Sequence, residues 1–272
     1  MKSTATSTGA AGEIEHGERF AFGRNWSRFL AKLTAPRIEA ARQSLVSWLG
    51  TNDLSGRSFI DVGSGSGVFS LAARNLGARV TSFDYDPDSV ACAMHLKARH
   101  FEGSPDWRIE TGSVLDKPYL ATLGQHDVVY SWGVLHHTGA MYEALDNVVG
   151  LVRPQGQLFI AIYNDQAWIS RYWLAVKRIY NRSATGRLLM IAFHAPYLFG
   201  LRFLVRRFRR GAAMERGMSL WYDMLDWLGG YPFEVAKPED IVSFYRDRGF
   251  ELERLRTCYG RHGCNEFLFR RK

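Results

Sequence analysis

Apolar residues along this chain fall into short blocks, separated by longer stretches in which they recur at helical spacing. The short blocks predict strands and the recurrent stretches predict amphipathic helices. Five blocks follow one another at Ser58–Val62, Arg79–Phe83, Trp107–Thr111, His126–Ser131 and Gln157–Ile162. Helical spacing fills the gaps at Val68–Leu76, Pro87–His100, Tyr119–Leu123 and Met141–Val152, the last closed by the stop-and-turn signal Arg153-Pro154-Gln155-Gly156. Ahead of the first strand, Trp26–Leu49 carries an apolar face through Phe29, Leu30, Leu33, Ile38, Ala41, Leu45 and Trp48, behind the aromatic patch Phe20–Trp26. Alternation of this kind predicts an α/β fold with a doubly wound, mostly parallel sheet. It breaks at residues 167–231, a helical insertion, and resumes with a helix at Pro238–Arg248 and strands at Glu251–Thr257 and Asn265–Arg270. The turn between those two strands is too short for a crossover, so the last of the seven strands is antiparallel. The expected organisation is a disordered tail at 1–14, a core with its N-terminal helix at 15–166, the insertion at 167–231, and the rest of the core at 232–272.

Charge changes this picture in one place. The net charge of +8 suggests a nucleic-acid partner until its distribution is read. Ten basic residues lie between Gln166 and Met214, a stretch without Asp or Glu; without them the remainder of the chain stands at −2. The three cysteines, Cys92, Cys258 and Cys264, lack metal-ligand spacing, so reduced thiols, no metal and a cytoplasmic location are expected. The Ser/Thr/Gly/Ala-rich first residues lack the apolar core of a signal peptide, and no apolar run is long enough to span a bilayer.

The chemistry begins where the first strand runs into Asp61-Val62-Gly63-Ser64-Gly65-Ser66-Gly67. Glycines at alternate positions let the chain turn sharply and let a ligand approach the backbone, while the following helix points free N–H groups into the same space. Asp84, 17 residues after Gly67 and at the tip of the second strand, is placed to accept ribose hydroxyls. Asp86, just before Pro87, is the expected cap of the next helix. Dinucleotides and S-adenosylmethionine are the two ligand families such a turn serves, and the spacing here differs from the dinucleotide pattern GxGxxG.

Taken together, Asp61–Gly67, Asp84, Gly112-Ser113-Val114-Leu115-Asp116 and the run Asp127–His137 resemble the successive motifs of class I S-adenosylmethionine-dependent methyltransferases, nearest the small-molecule and quinone O-methyltransferase branch. The resemblance implies that Asp61, Gly63, Ser64, Gly65 and Gly67 face the methionine end of the cofactor. Asp84, with Tyr85 beside it, would hold the ribose, Ser113 and Val114 would flank the adenine, and Trp132 would lie close by. Many relatives carry an acid where Ser113 stands, so the adenine contact there is weaker. It further implies a general base in the His136-His137 pair, with His137 favoured because a histidine of the quinone enzymes aligns with it, and a lid over the acceptor formed by the insertion. Topology brings Tyr163, Asn164, His262, Asn265 and Glu266 to the same sheet edge as acceptor-side candidates, and Trp26 to a position from which it can close over the cofactor. The apolar and basic insertion suits a small-molecule or lipid-linked acceptor and peripheral contact with an anionic membrane. Two alternatives stay open: a nucleic-acid methyltransferase, disfavoured because Ser131-Trp132-Gly133 stands where amino-directed nucleobase methylases carry a proline-rich turn, and a non-catalytic cofactor-binding scaffold.

Overall fold

The computed structural model describes residues 9–23, 26, 30, 33–201, 220–260 and 263–272. Seven strands form one sheet: β1 (Ser58–Val62), β2 (Arg79–Asp84), β3 (Trp107–Thr111), β4 (His126–Trp132), β5 (Val152–Tyr163), β6 (Phe250–Arg256) and β7 (Cys264–Arg271). Their order is β3-β2-β1-β4-β5-β7-β6, with β7 alone antiparallel to its neighbours, as the patterning predicted. Strand order reverses between β1 and β4, and that switch point, outside the carboxyl ends of the strands, is where an open α/β sheet binds ligands.

The strands β1, β4, β5 and β7 divide their side chains between two cores. Ile60, Val129, Leu158 and Phe267 face one side, with Leu145 of α6 (Met141–Val149) and Ile241 of α10 (Pro238–Arg246). Their neighbours Phe59, Val128, Phe159 and Leu268 face the other, against Leu45 of α2 (Ala35–Leu49), Leu71 of α3 (Val68–Asn75) and Leu96 of α4 (Pro87–His100). These residues are at most 2% exposed, and each contributes about 1.5–3 kcal/mol by leaving water. The short α5 (Lys117–Leu123) completes the first face. A third cluster is separate: Trp173 and Tyr180 of α7 (Trp168–Arg182) pack on Met224 and Leu228 of α9 (Leu220–Gly229), with α8 (Ala184–Ala195) alongside.

Three elements differ from the sequence expectation. The helix read across Trp26–Leu49 is interrupted: Trp26 and Leu30 are helical, Leu33 and Thr34 are not, and α2 starts at Ala35, where Thr34 is extended and Pro36 fixes the first turn, because a proline further inside would cost a backbone hydrogen bond. The helix read to Val152 stops at Val149. Val152 already pairs with His126, and the Arg153–Gly156 signal is a bulge within β5, with Gln155 at φ 62°. Within the expected tail at 1–14, Ala10–Glu15 is helical (α1) and Ala10 is buried; this short helix is held by contacts from distant residues given below.

Candidate active site

A cavity of about 1060 Å³ opens over the switch point. Its floor is the glycine turn. Gly63 has φ 77°, and a Cβ there would lie 2.3 Å from a Val134 methyl; Gly65, at φ 52°, would bring one to 3.0 Å from the Trp26 indole nitrogen. Gly67 has another reason to be glycine. A Cβ on it would meet Ala93 of α4 at 2.8 Å, and it does not line the cavity. The expected cofactor residues Asp61, Gly63, Ser64, Gly65, Asp84, Tyr85, Ser113, Val114 and Trp132 all line it, as do Trp26, Tyr163 and His137.

Two carboxylates set the electrostatics, Asp61 buried and Asp84 part-buried. Asp84 accepts the Gly65 N–H at 2.8 Å and the Asp86 N–H at 2.9 Å, yet burial pushes its pKa up to about 6. Asp61 ends a chain of donors: the Trp107 indole N–H to Ser82 Oγ (2.9 Å), Ser82 to Ser70 Oγ (2.8 Å), and Ser70 to Asp61 (2.5 Å). Burial, with the charge of Asp84 nearby, pushes Asp61 up to about 7. Both acids therefore stand ready to be relieved by a cationic ligand. Ser64 Oγ is buried without a hydrogen-bond partner among the described residues, in a turn that a side chain would fill. An orphan hydroxyl, a turn whose glycines bring its backbone to the cavity and a strand-end carboxylate fit a nucleoside with a positively charged group. Ser113 spends its hydroxyl on the Leu115 N–H (3.1 Å), so Val114 supplies mainly apolar contact there.

His137 lies on the one-turn helix Leu135–His137 after β4. Its Nδ1 is 2.5 Å from the Pro232 carbonyl oxygen and must carry the proton, leaving Nε2 with the lone pair. Burial, with Lys177 and Arg19 nearby, pulls its pKa down to about 3, the carbonyl contact opposing that trend. Phe22, at 5.0 Å between centroids, and Tyr163, at 5.3 Å, enclose the ring. His136 is fully buried, its ring 4.0 Å from that of Tyr163 and tilted 41° to it, and does not line the cavity.

The acceptor-side candidates divide. Tyr163 lines the cavity, but Asn164, Asn265 and Glu266 do not. Asn265 bridges Asn164 Oδ1 (2.9 Å) and the Cys258 N–H (3.1 Å), bracing the β6–β7 turn. Glu266 accepts the Trp132 indole N–H at 2.8 Å and the Arg256 Nε–H at 2.5 Å, so it holds a cavity wall from behind. His262 lies outside the described residues.

Residues that the sequence gave no reason to choose complete the roof. Arg19 donates to Glu13 (2.6 Å) and to the His137 carbonyl (3.1 Å), and its guanidinium lies 4.9 Å from the centre of the Tyr85 ring, whose hydroxyl also donates to Glu13 (3.0 Å). The Phe20 N–H donates to the Tyr231 carbonyl (2.9 Å) and the Gly23 N–H to Asp86 (2.9 Å). Asp86 meanwhile caps α4 through the Asp88 N–H, as expected. Residues 10–23 thus form a strap across the site. From the insertion, Leu198, Met224 and Trp227 close the far end.

Comparison with known proteins decides the family. Residues 60–158, which run from β1 into β5 and include the glycine turn, Asp84 and His137, match the family described as methyltransferase domain. Residues 60–158 carry a methyltransferase domain, and the chain is similar in sequence and fold to class I S-adenosylmethionine-dependent methyltransferases. Its cofactor is S-adenosylmethionine. The methyltransferase is 34% identical over 108 residues to the tRNA U34 carboxymethyltransferase of Methylococcus capsulatus, covering 39% of this chain and 32% of that protein. To the ubiquinone biosynthesis O-methyltransferase of a Methylobacterium species it is 34% identical over 118 residues, 43% of this chain and 45% of the other. This methyltransferase therefore spans less than half the length of either relative. In fold it resembles the magnesium protoporphyrin IX methyltransferase of Synechocystis, solved with S-adenosylhomocysteine bound, at TM-score 0.54 and 16% identity over 92% of this chain and 94% of that one.

Proposed function

We propose that this methyltransferase acts on a hydroxyl of a small-molecule or lipid-linked acceptor held between the glycine turn and helices α7–α9. The observation that carries the proposal is His137, an uncharged imidazole with its Nδ1 committed to a carbonyl, set in an aromatic chamber beside the cofactor turn. Gly63–Ser66, Asp61 and Asp84 hold the cofactor, with Ser113 and Val114 beside its base and Trp132 and Trp26 as walls. S-adenosylmethionine supplies an electrophilic methyl group carried on a sulfonium. The protein contributes alignment, an aromatic cage that keeps water out, and a place for one proton.

The low pKa of His137 decides how that proton moves. An imidazole at about 3 does not deprotonate a phenol or alcohol beforehand. It accepts a hydrogen bond from the hydroxyl, which orients an oxygen lone pair. Once methyl transfer from the sulfonium had made the hydroxyl proton far more acidic than an imidazolium, Nε2 of His137 would take it up. Tyr163 and Phe22 hold the acceptor ring or chain flat against this atom. Cell extract incubated with the protein and methyl-labelled cofactor tests the reading. Label is expected in an organic-soluble product, and His137→Gln is expected to lower its rate by about 10²–10⁴-fold with cofactor affinity unchanged. Equal rates would remove His137 from the chemistry, and label in the RNA or protein fraction would remove the acceptor class.

A further inference from the structure

The outer side of the helical insertion has features that the active site does not use. Eleven large apolar side chains of the described residues are well exposed, and seven of them fall between Trp168 and Tyr197. On α8, Leu188 (69% exposed), Leu189 (59%) and Phe193 (73%) share one face, continued by Tyr197 (59%). The opposite face is anchored: Ile191 and Ala195 pack on the third cluster, and the buried His194 ring meets the Tyr172 hydroxyl at 2.7 Å. The outward set of Leu and Phe is therefore a fixed surface, one that ordinary globular proteins keep covered or reserve for a partner.

Charge identifies the partner. Arg178 and Arg182 of α7 and Arg187 of α8 are exposed beside this face, and no acid occurs between Gln166 and Met214. A second copy of the chain meeting this face through the same face would set Arg178, Arg182 and Arg187 against their own counterparts and gain no ion pair. A nucleic acid would use the arginines and leave Leu188, Leu189 and Phe193 wet. Only a surface that is both anionic and apolar beneath satisfies both sets, and that is a bilayer containing acidic phospholipid. The same three-helix unit lines the cavity from within through Leu198, Met224 and Trp227.

We propose that α8 docks this protein on anionic membrane, with Leu188, Leu189 and Phe193 inserted at the headgroup boundary, and that a lipid-borne acceptor enters the cavity from that side. The second clause rests on the acceptor reading above; the docking does not. Flotation of the full chain with phosphatidylcholine vesicles, with and without phosphatidylglycerol, is the test. Binding is expected only with phosphatidylglycerol, and to fall at high salt as surface charge is screened. L188S/F193S should abolish it, and R178Q/R182Q should weaken it about 25-fold, since ~1 kcal/mol for each surface cation is about fivefold. Calorimetric binding of S-adenosylhomocysteine by both variants should match that of the unaltered chain, showing that they fold. Four results would overturn docking: no flotation with anionic vesicles, equal flotation with neutral ones, flotation unaffected by L188S/F193S, or retention by polyuridylate without vesicle binding. Flotation with no labelled lipid product would overturn the lipid acceptor and leave docking in place.

Discussion

Asp61 shows how a residue that lines the cavity, and that is proposed to hold the cofactor, can work against the fold that carries it. Its pKa of about 7 lies above the ordinary carboxylate value, so the folded protein favours the neutral acid. That preference stabilises the fold fully below about pH 4 and is lost as pH rises through about 7, where the buried group must ionise. Asp61→Asn keeps an acceptor for the Ser70 hydroxyl and never ionises. Without cofactor, the variant is expected to melt above the parent at pH 8, the advantage shrinking toward pH 4, while its affinity for S-adenosylmethionine falls. Thermal unfolding across that range measures the first and calorimetry the second; an offset independent of pH would show that ionisation is not the cause. The trade is the familiar one between site and stability. Asp61 and Asp84 were legible in the sequence because a strand followed by a glycine turn fixes where its last residues point. Glu266 was not, because its sheet edge is given by topology while its partners Trp132 and Arg256 come from two other strands.

At the level of elements, the strands and the helices between them were readable because each buries a periodic apolar face and ends on a turn residue. The strap was not. Ala10–Glu15 has the composition of a flexible tail, and what orders it is a set of contacts far away in sequence: Glu13 with Tyr85, Arg19 with the His137 carbonyl, Gly23 with Asp86. Local patterning carries no trace of such contacts. Because the strap contributes little to either sheet core, a chain lacking residues 1–23 should retain its far-ultraviolet circular dichroism and melt within several degrees of the parent. Release of S-adenosylhomocysteine, followed by stopped flow, should quicken by about tenfold or more, since most affinity changes appear in dissociation. An unchanged release rate would show that the strap merely rests on the surface.

Across the whole molecule, two cores grip the sheet from either side and a third lies in the insertion, joined to the rest chiefly through Tyr163, Trp227 and Phe233. The insertion was visible in the sequence as a break in alternation and a concentration of charge, while its internal packing depended on aromatic pairs that spacing alone does not reveal. No helix among the described residues is long and apolar enough to cross a membrane. The single arginine at position 19 joins Tyr85, on the proposed ribose side of the cavity, to His137, on the proposed acceptor side. Its consequence is temporal. On the proposed reading, the strap latches the nucleoside through a group that also touches the His137 carbonyl. The reaction should therefore be ordered, donor first in and spent donor last out. Steady-state inhibition by S-adenosylhomocysteine would then be competitive with the donor alone, and turnover would slow in proportion to solvent viscosity.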